Sequence, residues 1–525
     1  MEDLVIATRQ DQSRNRQITW LLCIIASVAV LVCALHGLGM DEDSTAYLSG
    51  AVNLAKGRGL TAIGGSPYTL FGPALASFVS LGVRLGASAQ ATDLFLNVAC
   101  AVATVILGRV LLQRHVANPR LVLAGSVFIA IGWPLIQVTS LAITEPLTIV
   151  VLLALVLLLE DYNLTKHPVM SLAGMVVLLN LAFFLRYAGL GFIPVTVFVV
   201  FISRRHCDSF YRRGLAAGAV TALAFLGPAL WMVRNHSVDG SLLGPRFPPV
   251  FGVTTIAHQY VLAIGKIFLP GPNVVEDLVF AVVIVAIGMA LRLVYVSSSG
   301  GLGEFLRRLG PWSVLLYVCV SYVLYLYAAE LSTKIDPIDS RLLVPIYVPS
   351  VILMVGLLDA VLSRSPLSTR SKRLLGRLLL LYLCVQLLIS CVLVGDFALN
   401  GRDFTSTAWR TSTLVTATKS VVKANVVYTN NPSGLWARLD SNNIRSLPTS
   451  LAKAKSELSC PGVRIVFFTQ GIGHYYGDSG SVAAGIPTVT LRALRSVLEL
   501  RTTFTSDQGE IVRINLGATT QANCP

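Results

Sequence analysis

Apolar runs close to twenty residues long, parted by short polar stretches, recur along the first three-quarters of the chain. A helix needs about 20 residues to cross about 30 Å of hydrocarbon. Runs at 17–38, 94–112, 121–141, 143–160, 169–187, 188–203, 215–233, 277–297, 311–329, 342–362 and 375–395 therefore predict about eleven transmembrane helices. So little chain separates 121–141 from 143–160, and 169–187 from 188–203, that each joint must be a tight hairpin. Beyond residue 396 the period changes. VVYTNN, NIRSLPT, VRIVFFTQ and LRTTFTSDQGEIVRI alternate as strands do, and residues near 405–424 fit a helix. The expected fold class is mainly α: a polytopic membrane unit over 1–395, followed by a small α/β domain over 396–525.

Composition agrees with the pattern. With 54% hydrophobic and 13% charged residues over 525 positions, and a mean hydropathy of +0.70, a soluble single-core domain is excluded. A net charge of +14 would suit a nucleic-acid binder, but the basic residues fall in short clusters between apolar runs, where they act as topology signals. No nucleic-acid partner is expected. The segment Leu70 to Ala87 decides the orientation of everything after it. If it does not cross, the clusters at Arg9–Arg16, Arg109–Arg120, Arg204–Arg213, Arg307–Arg308 and Arg364–Arg377 are all cytoplasmic. The acids Asp41, Glu42, Asp43, Glu145, Asp239, Glu276, Asp277, Glu330, Asp336 and Asp339 then lie outside.

Residues 39–92 then form a first outer loop with interfacial helices, and 248–270 a second such element. The N-terminus is placed in the cytoplasm of a multi-pass inner-membrane protein, and 396–525 outside it. The first apolar run is longer than a signal h-region and lacks a clear small-x-small site, so no cleavage is expected. Cys23, Cys33, Cys100, Cys319, Cys384 and Cys391 sit in apolar runs as small hydrophobes. Cys460 and Cys524, in the polar tail, are placed to pair if the tail is extracytoplasmic; spacing leaves that open.

Ionisable groups at membrane depth cost about 2.5–3.5 kcal/mol at a helix centre, so where they are kept is informative. Asp41, Glu42 and Asp43 open a helix on which Asp43, Tyr47, Ala51 and Leu54 share a face. Acids there also suit the helix dipole, and local spacing leaves chemistry and capping equally open. Glu145, just before Pro146, is suited to hold a metal, orient Arg186 or cap its turn. His36 and His236 lack partners at metal-ligand spacing, and the glycines of KGRGL make helix C-caps rather than a phosphate loop.

Taken together, an acid with an aromatic four residues on, a helix ending in G-x-G, TEPL at 144–147, LRYAG at 185–189, WMVRN at 231–235 and DPIDSRLLVP at 336–345 resemble the GT-C superfamily. These are polyprenyl-phosphate-sugar-dependent glycosyltransferases, and the likeness is to bacterial relatives of protein O-mannosyltransferases and lipid A aminoarabinose transferases. Each motif is short; their order and shared side carry the match, which extends into the tail. The resemblance implies inverting transfer from a lipid-linked sugar, with an acid of the first outer loop as general base. The mannosyltransferase pattern is Asp-Glu with an aromatic at the fourth position beyond the Asp. Aligning on Tyr47 puts Asp43 at the base position and Ser44 where the Glu would stand, so Asp43 is the first choice, Asp41 the second, and Asp41 or Glu42 supplies any second carboxylate. The donor-phosphate arginine falls on Arg341, followed by Arg186 and Arg234, because guanidinium forks match phosphate oxygens. A divalent metal is an open cofactor question. The expected partners are a polyprenyl-phosphate sugar and an envelope glycan, lipid or protein acceptor. A transporter or flippase is the competing class, but it would place its charges at mid-membrane depth in repeated, broken helices. An inactive relative is a third reading, kept open by Ser44.

Overall fold

The computed structural model describes residues 2–162, 164–203, 209–296, 312–334, 338–364, 368–460, 462–469, 482–483, 486–487 and 489–514. Among them eight helices are long and apolar enough to cross a membrane: Ser13–Cys33, Ala89–His115, Pro119–Thr139, Pro168–Leu185, Phe210–Asp239, Ser313–Ser332, Ser340–Ser363 and Thr369–Asn400. The chain is a mainly helical, multi-pass membrane protein.

The three other expected spans are helical in shorter or bent form. Run 143–160 is the helix Glu145–Asp161, whose 17 residues extend about 25 Å. Run 188–203 is a 3-10 turn, Tyr187–Phe192, leading into Ile193–Ile202. Run 277–297 is the helix Asn273–Val296. Before it, Val253–Phe268 occupies the expected interfacial element and meets the next helix at 82°. The break falls on Leu269–Pro270–Gly271–Pro272, where two prolines remove backbone donors and stop a continuous helix.

The orientation argument turned on whether the loop 39–92 returns to the side it left. Its two helices, Glu42–Ala55 and Ala74–Arg84, are short; the second, at 11 residues, spans only about 16 Å. Gln90 at the start of the next span donates to Met40 Sδ at 3.2 Å, so both ends of the loop lie together. At the other end of the helices Arg109 donates to Asn15 at 2.9 Å and Arg114 pairs with Asp161 at 2.8 Å. Arg109 and Arg114 of one expected cytoplasmic stretch thus meet residues of two others at the end of the helices opposite Asp41–Asp43. Gly50 is required within the loop: a Cβ there would lie 2.7 Å from the ring of the buried Tyr68.

The tail folds into a five-stranded sheet. Its strands are β1 (Val426–Thr429), β2 (Ile444–Ser446), β3 (Val463–Phe468), β6 (Leu500–Ser506) and β7 (Gly509–Ile514), with β4 (Val482–Ala483) and β5 (Ile486–Pro487) forming a separate pair. The order is β2-β1-β3-β7-β6, parallel across β2, β1 and β3 and antiparallel beyond. One face, through Val427, Ile444, Val466, Phe468 and Ile511, shares a core with Tyr47, Leu48 and Tyr68 of the outer loop. The other packs Tyr428, Ile465, Phe467 and Val512 against Ala454, Leu458, Leu491 and Leu494. KGRGL also meets this tail, since Lys56 and Arg58 lie in the field of Asp440. Gly57 and Gly59 there both have φ of 74°, which suits the expected C-cap. Cys460 is disulfide-bonded, and Cys524 lies outside the described residues.

Candidate active site

Three stretches of backbone are stitched together where the first span ends. Gly39 donates to Ser140 O at 2.9 Å and accepts from Ala142 N at 3.0 Å, while Met40 O accepts from Phe404 N at 2.9 Å. Glycine at 39 permits this close approach, because a Cβ would lie 2.8 Å from the Leu141 side chain and 3.0 Å from that of Arg402. The next residue, Asp41, caps the helix Glu42–Ala55: its Oδ1 accepts from Ser44 N and from Ser44 Oγ, both at 2.8 Å. Its Oδ2 accepts from Arg341 Nη1 at 2.7 Å. The acidic triplet therefore combines the two alternatives left open by its spacing, with Asp41 capping and ion-paired at once.

Arg341 is the hub. Its Nη2 stands 3.3 Å from Asp43 Oδ2 and its Nε 4.0 Å from Glu145 Oε1. It sits in the short helix Ser340–Leu343, capped by Asp339, whose Oδ1 accepts from Leu342 N at 3.1 Å. Glu145, at the first turn of Glu145–Asp161, also forms an ion pair with Arg186. Arg186 sits where the helix Pro168–Leu185 breaks into the 3-10 turn. Four separate segments thus deliver Asp41, Asp43, Glu145, Arg186 and Arg341 to one cluster. Their burial is unequal: the Glu145 side chain is 2% exposed and that of Asp43 32%. Glu42 is partly buried on the same turn.

Tyr47 extends the cluster inward. Burial pushes its hydroxyl pKa up, and the Asp43 charge adds to this. Thr144 hydrogen-bonds that hydroxyl, and its own Oγ1 donates to Glu145 Oε2 at 3.4 Å.

Arg234 is placed elsewhere. Its guanidinium donates to Tyr68 O at 2.8 Å, Leu60 O at 3.4 Å and Asn235 Oδ1 at 3.0 Å, and lies over Trp231 at 4.8 Å. It fastens the outer loop instead of joining the acids. His36 accepts a contact from Arg410 at 2.6 Å, and His236 meets Gly240 O at 3.1 Å.

Three further charged residues approach the cluster. Arg402 donates to Ser140 Oγ at 2.8 Å, pairs with Asp403 at 3.3 Å and lies over Phe397 at 4.8 Å. Burial lowers its pKa, and Asp403 and Asp41 act against that. Burial raises the Asp403 carboxyl above the usual range, opposed by Arg402. Arg246 donates to the carbonyls of Leu243 and Leu70, both at 3.2 Å. Burial lowers its pKa too, while Tyr187, Tyr325 and Asp43 favour its charge. The one signal for these residues was their position beside span ends, where GRDF and GPRF interrupt otherwise ordinary loops.

Asp41, Asp43 and Glu145 each face a guanidinium, and among the described residues no three His, Cys, Asp or Glu side chains are placed to share an ion.

No family model and no curated protein sequence matches the chain. Solved structures do. ArnT from Cupriavidus metallidurans in the apo state superposes with a TM-score of 0.60 at 12% identity, covering 94% of this chain and 97% of that one. The same protein bound to undecaprenyl phosphate gives 0.56 at 9% identity, with the same coverage. The archaeal oligosaccharyltransferase AglB from Archaeoglobus fulgidus, in complex with an inhibitory peptide and a dolichol-phosphate, gives 0.50 at 10% identity, covering 96% of this chain and 75% of that one. At such identities the likeness is one of fold alone, and that fold is the GT-C one expected from the sequence.

Proposed function

We propose that this chain is an integral-membrane, inverting glycosyltransferase that moves a sugar from a polyprenyl-phosphate donor to a hydroxyl of an envelope glycan, lipid or protein at the outer face of the cytoplasmic membrane. The observation that carries the reading is the convergence of Asp41, Asp43, Glu145, Arg186 and Arg341 from four segments. The lipids bound in the structures of ArnT and AglB support the donor class. The proposed orientation rests on the positive-inside reading of the basic clusters between the apolar runs.

The two first-loop acids have different surroundings. Asp41 has one oxygen on the helix cap and the other on Arg341, so it anchors the cation. Asp43 is more open and is the base. It takes the proton of the acceptor hydroxyl as that oxygen attacks the anomeric carbon from the face opposite the phosphate. The bond between that carbon and the phosphate oxygen breaks, and the lipid phosphate leaves with the electron pair. Arg341, held by Asp41 and Glu145, presents its fork to the growing phosphate charge. Glu145 orients both arginines and Arg186 supports the donor side, while Arg234 holds the loop.

The test uses purified protein in lipid vesicles with a polyprenyl-phosphate sugar, following both the new glycosidic bond and released lipid phosphate. Asp43→Asn should lower turnover by about 10²–10⁴ while donor binding persists. Full turnover in that variant would remove Asp43 as the base. Movement of the lipid-linked sugar across sealed vesicles with no glycosidic bond formed would replace the reading with transport.

A further inference from the structure

The sheet of the tail carries a row of like charges. Arg464 on β3 is the register partner of Arg513 on β7, and Arg513 is the partner of Arg501 on β6. Directly opposed residues point to the same face, so the three arginines stand side by side on adjacent strands set about 4.8 Å apart, with Arg464 Nη1 donating to Val463 O at 2.9 Å. Like charges set opposite one another destabilise a sheet, so their placement calls for a compensating anion. Arg501 and Arg513 are exposed and Arg464 is half-buried. Among the described residues no carboxylate lies within ion-pair distance of the three; the nearby Arg495–Glu510 pair, at 2.7 Å, uses an acid opposite Phe467 on the other face.

The position of the row selects its partner. The β6–β7 end of the sheet lies against the first residues of the tail: Gln508 Oε1 accepts from Ser412 Oγ at 2.6 Å, and Phe468 packs on Trp409 with ring centroids 5.6 Å apart. Trp409 adjoins Arg410, which contacts His36 at the end of the first span. Arg513 lies four residues along β7 from Gly509, about 13 Å from the turn. The row therefore sits at the end of the sheet away from that contact with the first span. The helix Thr413–Ala424, which covers the same face, adds exposed Lys419 and Lys423 and carries no acid.

We infer that Arg464, Arg513 and Arg501 form a binding surface for a linear anionic glycan in the aqueous compartment, with carboxylate or phosphate groups of successive units lying along the row. The polyanion part stands on the arginine row alone; the choice of a glycan rests on the proposed transfer reaction. Guanidinium forks suit either anion, and a flexible chain can place charges on all three.

The experiment uses full-length protein in phosphatidylcholine nanodiscs and a fluorescent oligogalacturonate, read by anisotropy at several salt concentrations. Wild type should bind, more weakly as salt rises. The triple variant Arg464→Gln/Arg501→Gln/Arg513→Gln should bind about tenfold or more weakly, and the corresponding lysine triple should retain most of the affinity. Should the glutamine triple fail to fold, Arg501→Gln and Arg513→Gln, both at exposed sites, are each expected to weaken binding about threefold. Unchanged affinity in the glutamine variants overturns the surface. Equal affinity for polyglutamate overturns the glycan assignment and leaves the polyanion surface standing. Competition by phosphatidylglycerol placed in the disc overturns the assignment to the aqueous compartment. None of these readouts depends on turnover, so failure here is distinct from failure of the transferase reading.

Discussion

Glu145→Gln keeps the shape of the side chain and deletes the carboxylate that faces both Arg186 and Arg341. Because that side chain is 2% exposed and each arginine 15%, water screens little of the loss. Removing one partner of a buried ion pair costs about 3–5 kcal/mol, since the remaining charge is stranded. Arg341 retains Asp41 and Asp43, so most of the effect falls on Arg186. The lower end of that range, about 3 kcal/mol, is therefore expected. Adding Arg186→Gln removes the stranded charge, and the double variant should be about 2 kcal/mol more stable than the two single losses summed. The assay is the first-order loss of folded protein in one detergent at one temperature for all four members of the cycle. If the pair is broken in the unfolding transition state, 2 kcal/mol appears as a rate difference of about 30-fold. Losses that add to within about 0.5 kcal/mol would refute the coupling, and with it the orienting role of Glu145.

Other variants separate holding from chemistry. Asp41→Ala loses a helix cap, about 0.5–2 kcal/mol, together with an ion pair, so it should inactivate thermally faster than Asp43→Ala; the reverse order would overturn the division between anchor and base. Arg234→Ala loses three hydrogen bonds and a ring contact, so melting should fall while turnover per folded molecule changes less than about threefold. A hundredfold drop in turnover at unchanged stability would return Arg234 to the donor site. Gly50→Ala forces a Cβ to within 2.7 Å of the buried Tyr68 ring and should destabilise by about 1–3 kcal/mol. An unchanged melting temperature would show that the ring moves aside freely.

The spans were legible because burial in lipid demands long apolar runs, and the outer-loop acids because charges beside such runs are expensive to keep. The same reasoning singled out Glu145, Arg186 and Arg341, which the fold brings together. It was blind where acceptors are backbone carbonyls, which leave no mark on composition. Arg234 ranked with Arg186 behind Arg341 as a donor-phosphate candidate, and the structure has Tyr68 O and Leu60 O hold it instead. Arg402 and Asp403 were passed over because beyond the last span polar residues are ordinary, yet Arg402 reaches Ser140 and Phe404 pairs with Met40. The short helix Glu145–Asp161 and the 82° break show the other limit: apolar period gives helicity, whereas length and prolines decide how a helix ends.

The asymmetry between Asp41 and Asp43 begins in the backbone. Gly39 and Met40 are tied to residues 140, 142 and 404, so the chain enters the Glu42–Ala55 helix in a set direction. That direction turns one oxygen of Asp41 onto the cap, leaving the other for Arg341. Arg341 is then fixed by Asp41 and by Glu145 behind it, and its remaining Nη2 points to Asp43 at a looser 3.3 Å. A transferase of the proposed kind needs two unlike carboxylates, one that holds a cation for the leaving phosphate and one open enough to receive a proton. Two acids on one helical turn become unlike here because contacts from residues about a hundred and about 360 positions away fix the backbone before that turn begins.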